Sequence, residues 1–242
     1  MTRIHLQSFI LLGFICVCHP AFSVGNIPVP IDSVDFNRIP HKKVRNLIHE
    51  QKQYGVSTFN EIYPVCYNTP DSSQYHIYTK SQLIKKDINV VWNNLTHLSP
   101  KDEFEGRIVK FGLLYSRRYN NLIYGNEVNP GTEEGQILFF NLRVLSGIKN
   151  VAVALEVTRM DDDHKMVEYC YVDHGNTKGT QQITLRSTPE GYTEITQLTR
   201  YKCKSPLRNH GLYSYFHNRI VKELFNNIKS KSELGTGNLV AK

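Results

Sequence analysis

From Tyr75 onward, apolar and polar residues alternate with a period of two in one stretch after another. In 107–115, Val109, Phe111, Leu113 and Tyr115 share one face, and in 137–145 Leu138, Phe140, Leu142 and Val144 do the same. Strand composition also marks 75–84, 151–158, 166–172, 181–186 and 193–201. The connections Met160-Asp161-Asp162-Asp163-His164, Asp173-His174-Gly175-Asn176 and Pro189-Glu190-Gly191 are short, polar and turn-prone, so the strands read as an antiparallel meander. In 193–201 the apolar phase slips, with Ile195 odd and Leu198 even, which predicts a bulge or a face that is only partly core.

Two stretches switch to helical spacing. Asp87 stands as an N-cap before Ile88, Val91, Trp92 and Leu95, and Ser99-Pro100 closes that short helix. Leu212, Phe216, Ile220, Leu224 and Ile228 then step by four, with Val221 and Phe225 widening the stripe, which predicts a long amphipathic helix over 212–229. A one-sided meander needs cover, and a single long helix supplies it if the sheet curls around it. The expected class is therefore α+β, and one helix in a curved sheet leaves a space between them.

Ahead of this region, 24–39 reads as an extended leader. A short helix follows, with Pro40 in the first turn, Val44, Leu47 and Ile48 on one stripe, and Gly55 as its stop. Arg3, the apolar run 9–17 and Ala21-Phe22-Ser23 have the arrangement of a cleaved signal peptide. Cys16 and Cys18 follow Ile15 and Val17, a poor box for a lipid anchor. The expected division is a signal peptide over 1–23, a leader with one short helix over 24–73, the sheet-and-helix domain over 74–231, and a flexible tail over 232–242. The mature product is expected in the periplasm or secreted.

Residues 75–98 (YHIYTKSQLIKKDINVVWNNLTHL) resemble the opening of the START-like, or SRPBCC, helix-grip superfamily, whose first strand leads into a short helix with a Val-Trp pair, here Val91-Trp92. Gly131-Thr132 and Lys178-Gly179-Thr180 resemble its glycine entries to sheet strands, and the C-terminal helix takes the place of its gripping helix. The resemblance covers 75–231. It implies a curved antiparallel sheet of about six or seven strands around the long helix, with an apolar cavity for a lipid, sterol or polycyclic ligand. It carries over no catalytic residue, because the superfamily shares none.

Composition narrows the remaining choices. The chain has 242 residues, 40% of them hydrophobic, ample for a core, and a net charge of +7. The basic residues are scattered without a run, so no nucleic-acid partner is expected, while weak attraction to an anionic membrane surface is permitted. Cys66, Cys170 and Cys203 remain after signal cleavage. Their number leaves at least one thiol unpaired or bonded to another chain, and the pairing is open. Their spacing matches no zinc pattern.

Asp161-Asp162-Asp163-His164 carries metal-ligand residue types, but as a tight hairpin tip it reads as solvated. His174, His210 and His217 are candidate proton-transfer groups read as structural, and the sequon Asn94-Leu95-Thr96 reads as chance. No nucleophile motif, dinucleotide fingerprint or metal string is present. The expectation is a non-catalytic binder of a hydrophobic, lipid-like molecule, with no cofactor and no metal. The candidate ligand contacts are Phe111, Tyr115, Phe140, Phe216 and Ile220 on predicted inner faces, with Arg200 at the mouth as an anchor for an acidic head. The alternatives are a cyclase-like or hydrolytic enzyme on the same fold, and an envelope interaction protein with a packed interior.

Overall fold

Capping and periodicity place most elements where the pattern expects them. In the computed structural model, which describes residues 27–127, 131–204 and 213–234, α1 spans Lys42–Gln53, β1 His76–Ile84 and α2 Ile88–His97. Asp87 caps α2 by accepting from the Asn89 amide at 2.8 Å. Ser99 does not simply end that helix. Its hydroxyl accepts from the Asp102 amide and starts a further short helix, α3, over Pro100–Phe104. The chain then runs through β2 (Val109–Ser116), β3 (Asn121–Tyr124), β4 (Gln136–Val144) and β5 (Lys149–Asp161). It continues through β6 (Met166–Tyr171), β7 (Thr177–Ser187), β8 (Thr193–Cys203) and α4 (Tyr213–Leu234).

The eight strands form one antiparallel sheet in the order β1-β8-β7-β6-β5-β4-β2-β3. The strand beyond the expected number is β3, a four-residue hairpin partner of β2 with too few residues to show a period. Helix α4 lies against the inner face. Val221, Leu224, Phe225 and Ile228 are buried there among Trp92, Leu95, Phe140, Val157, Ile183 and Ile195. The helix runs to Leu234, past its expected end at 229, and Ser232 is buried against α2, where it accepts from Asn94 Nδ2. The expected signal peptide, and Leu212 at the start of the predicted helix, lie outside the described residues.

The outer face of the sheet is covered as well. Ile31, Val34, Ile39, Val44, Leu47, Ile48, Phe59 and Ile62 from the N-terminal segment form a second core with Leu113, Tyr115, Ile137, Phe139 and Ala154. Gly112 lets α1 approach, since a Cβ there would come within 2.9 Å of a Val44 methyl. Residues 63–67 run beside β6 and β7. The Val65 amide donates to the Tyr171 carbonyl at 2.6 Å, and the Gly179 amide donates to the Val65 carbonyl at 2.9 Å. Gly179, at φ +131°, has to be glycine for a separate reason, because a Cβ would sit 1.9 Å from the Arg200 carbonyl oxygen of the neighbouring strand β8.

Two fixings lock the leader down. Cys66 and Cys170 form a disulfide across 104 residues of sequence. Arg117 reaches from the end of β2 to the Glu156 carboxylate at 2.9 Å and also donates to the Asn60 and Ile62 carbonyls. Cys203 is buried outside the disulfide, 3.5 Å from the Thr177 hydroxyl.

Register corrects one sequence expectation and decides between two readings of another. The pairing of β2 with β4 shifts between Phe111 and Leu113, a bulge that reverses the facing of everything after it. Leu114 therefore joins the inner core, while Leu113 and Tyr115 face outward. Of the two readings of the slip in β8, the partly core face holds and the bulge does not, since its pairing with β1 and β7 is continuous. Ile195, Gln197, Thr199 and Tyr201 all belong to the buried face of that strand, and Leu198 lies on the other.

Candidate functional site: an apolar cavity with a polar end

Between the N-terminal half of α4 and the β4–β5 hairpin, the inner core stays open as a cavity of about 220 Å3. One helix of this girth cannot fill the full curve of an eight-stranded sheet. Phe104, Phe140, Val153, Leu155, Val221 and Leu224 form its apolar walls. Leu142, Val144, Phe216 and Ile220 are half-buried and stand toward the rim, with exposed Leu145 and Lys149 at the outside.

The other end is polar and wired together. Gln197 Nε2 donates to Gln181 Oε1 at 2.6 Å, and Gln181 Nε2 donates to the Tyr171 hydroxyl at 3.0 Å. The Tyr171 and Tyr213 hydroxyls share a hydrogen bond of 2.5 Å. Tyr213 stacks on Tyr201 at 3.6 Å between ring centroids and on His217 at 5.1 Å. His217 Nε2 lies 3.4 Å from the Thr199 hydroxyl, while its Nδ1 and the Gln197 Oε1 are buried with no hydrogen-bond partner among the described residues.

Burial sets the protonation of this end. Desolvation pushes the His217 imidazole down to about 3, so it is neutral at physiological pH. Desolvation likewise pushes the Tyr171 and Tyr213 phenols up, so both stay protonated. A second buried pair lies behind Phe104. The Glu103 carboxyl is fully buried, neither oxygen has a hydrogen-bond partner among the described residues, and desolvation raises it well above the usual carboxylate range. The Tyr169 hydroxyl is also unpartnered there, raised by burial first and then by Glu103.

The residues singled out by pattern divide into three groups. Phe140, Phe216 and Ile220 line the cavity. Phe111 is buried in the inner core with its ring edge-on to Phe140 at 6.3 Å, one layer behind the cavity wall. Tyr115 and Arg200 are on the outer face, which corrects their expected placement at the ligand. The Tyr115 hydroxyl donates to Asn60 at 2.6 Å, and the Arg200 guanidinium lies over the Tyr67 ring at 5.1 Å.

Among the remaining candidates, His217 is in the polar end and His174 stacks on Tyr54 outside the sheet. His210 lies outside the described residues. At the acidic hairpin, Asp161 accepts from the His164 backbone and ring, which pushes its carboxyl down to about 2. Asp162 accepts from the Trp92 indole at 2.6 Å. Tyr171, Gln181, Gln197 and Tyr213 were missed by pattern. A signal existed in β8, where Gln197 and Thr199 occupy the inward phase set by Ile195 and Tyr201, a phase otherwise reserved for core residues.

No family model matches the sequence, and no curated protein does. Solved structures match by shape. A norcoclaurine synthase point mutant from Thalictrum, bound to a transition-state analogue, superposes at a TM-score of 0.50 with 11% identity, covering 67% of this chain and 97% of that one. A major latex-like protein from Panax ginseng gives 0.49 with 10% identity over 66% and 98%. A protein from Thermus thermophilus gives 0.47 with 10% identity over 67% and 100%. The chain has the helix-grip fold, an antiparallel sheet around a long C-terminal helix. At these identities the likeness concerns the fold alone.

Proposed function

We propose that this chain is an exported, non-catalytic binding protein for a hydrophobic, lipid-like small molecule held between the sheet and α4. The observation that carries the reading is the apolar cavity of about 220 Å3, far above the roughly 10–15 Å3 that one water needs. That size argues against a packed interior. It lies below the roughly 300–1,000 Å3 usual for drug-sized ligands. The occupant is therefore small, or it extends past Phe216 and Ile220 through the rim. Burial supplies affinity at about 25 cal/mol per Å2 of apolar surface removed from water.

Export is supported by the Cys66–Cys170 disulfide, a bond that persists in oxidising compartments. The enzymatic alternative needs a group that exchanges a proton near neutral pH. His217 is held neutral down to about 3, and Tyr171 and Tyr213 are held protonated. No other ionisable side chain except exposed Lys149 lines the cavity among the described residues.

Native mass spectrometry of protein secreted by its own host, followed by organic extraction, tests the reading. A co-purifying apolar molecule is expected. Val153→Phe, which projects a ring into the cavity from β5, is expected to reduce its occupancy at least tenfold with little change in thermal stability. Repeated isolation without any such molecule, together with no binding of hydrophobic dyes, would overturn the proposal.

The rim also supports weak association with an anionic membrane surface. Ile148 is 88% exposed and Leu145 50% exposed at the β4–β5 tip, and Tyr215 on α4 is 59% exposed. Arg107, Arg143, Arg219 and Lys222 line one cleft beside this tip, and no ion pair among the described residues involves them. The acid in that cleft, Glu223, is engaged by the backbone amides of Arg107, Ile108 and Val109. Flotation with vesicles containing phosphatidylserine is expected to recover the protein at low salt, with Ile148→Asp lowering recovery severalfold. Equal recovery with neutral vesicles would rule out the electrostatic part.

A further inference from the structure

The hydrogen bonds at the polar end can be counted proton by proton. Gln197 Nε2 has two hydrogens, and two acceptors, Gln181 Oε1 and the Thr199 hydroxyl, take them. Gln181 Nε2 donates onward to the Tyr171 oxygen. Tyr171 and Tyr213 together bring two phenolic hydrogens, and their mutual contact uses one. Whichever ring donates within the pair, the other O–H has no acceptor among the described residues.

Acceptors are left over as well. Gln197 Oε1 has no donor, and Gln197 is 2% exposed. His217, 5% exposed, has Nε2 near Thr199 and Nδ1 without a partner among the described residues, an acceptor in the tautomer whose Nε2–H points to Thr199. A spare donor and spare acceptors therefore sit at one end of an otherwise apolar cavity. Leaving such groups unmatched is unfavourable, because each gave up a hydrogen bond to water on burial.

Charge separates the ligands that could match them. Among the described residues the cavity lining contains no carboxylate, and its one permanent cation, Lys149, is exposed at the outer rim. A carboxylate or phosphate drawn to the polar end would lose its water and meet no counter-charge among the described residues, leaving its charge buried without compensation. A hydroxyl or carbonyl oxygen loses little on entry, and a hydroxyl can both accept from a phenol and donate to Gln197 or His217.

We infer that the site selects apolar molecules bearing a neutral oxygen function, an alcohol or phenol foremost and a ketone next, over fatty acids and other anions. The inference rests on the binder reading and adds the chemistry of the ligand's buried end. The Tyr171–Tyr213 pair, held by Gln181, donates a hydrogen bond to the ligand oxygen, and Gln197 Oε1 or His217 Nδ1 accepts one from a ligand hydroxyl. The apolar remainder lies against Phe140, Val153 and Leu155 toward the rim.

Three probes of one size separate these terms: naphthalene, 2-naphthol and 2-naphthoate, titrated at pH 7 into the oxidised protein. We expect 2-naphthol to bind about 2–10-fold more tightly than naphthalene, the factor that one neutral hydrogen bond supplies. It is expected to bind at least tenfold more tightly than 2-naphthoate. The double variant Tyr171→Phe, Tyr213→Phe removes every phenolic donor and is expected to bring 2-naphthol down to the affinity of naphthalene, whose binding is retained.

If 2-naphthoate binds as tightly as 2-naphthol, or the double variant keeps the full preference for 2-naphthol, the head-group assignment is overturned while the binder reading stands. Failure of all three probes to bind the wild-type protein overturns the binder reading and this inference with it. The wild-type ranking decides the matter even if the double variant does not fold.

Discussion

Cys170→Ala is expected to lower stability by roughly 3–5 kcal/mol and the melting temperature by roughly 10–15 °C. The Cys66–Cys170 bond closes a loop of 104 residues, so its loss returns a large conformational freedom to the unfolded chain. It also releases the leader at the point where 63–67 lie along β6 and β7. The Val65 and Gly179 amide bonds must then hold that edge with the outer core alone. Thermal melts of the oxidised protein, Cys66→Ala, Cys170→Ala and the reduced wild type measure this. All three disrupted forms should agree within a few degrees, since each removes the same bond. A loss of less than about 1 kcal/mol in every form would show that the outer core alone fixes the leader.

Acid is expected to destabilise the protein through His217. Its folded-state value is about 3, while the unfolded chain titrates near 6.5. Between those limits the unfolded state binds a proton that the folded state does not. The stability lost is therefore about 1.4 kcal/mol for each pH unit below 6.5, levelling off near 3. His217→Leu, which cannot charge, should flatten the acid limb of a plot of melting temperature against pH between 7 and 4. An unchanged slope in the variant would show that His217 is charged, and therefore solvated, in the native state.

Glu103 has the opposite sign. Its folded-state carboxyl is raised by burial, so the stability it contributes is present below the ordinary carboxylate range and falls as pH rises toward its shifted value. Glu103→Gln is expected to stabilise the protein at pH 8 more than at pH 5. The two groups limit stability from opposite sides of pH, and both do so because charge is excluded from the interior that makes the cavity apolar.

The sites of greatest interest were only half legible in sequence. Phe140, Phe216 and Ile220 were found because they keep phase with their neighbours, and the cavity lies on that phase. Tyr115 is misplaced by periodicity because one bulge, between Phe111 and Leu113, inverts every later residue of β2; its signal in the sequence is Gly112, since an isolated glycine in a strand often marks a bulge. Gln181, Gln197 and Thr199 were passed over because polar residues at inward positions disturb the same period by which a strand is recognised. The slip in β8 comes from Gln197 and Thr199, which occupy the buried phase of that strand.

The outer core had a sequence signal of a different kind. Ile137-Leu138-Phe139-Phe140 is apolar at odd and even positions alike, and five of the six residues from Val151 to Glu156 are apolar. Such runs belong to strands buried on both faces. Reading one face alone left the leader without a place to pack.

The sequence by itself determined the meander, the Asp87-capped helix, the amphipathic C-terminal helix and hence the α+β class, because each follows from local periodicity and turn chemistry; the helix-grip arrangement was implied by the resemblance. Tertiary structure alone decided that the leader forms a second core, that Cys66 bonds to Cys170, and that Tyr171, Gln181, Gln197, Tyr213 and His217 converge. Those outcomes depend on register and on curvature. Register changes the facing of a residue with a one-position shift, and curvature sums over eight strands, so neither is written in any short window of the chain.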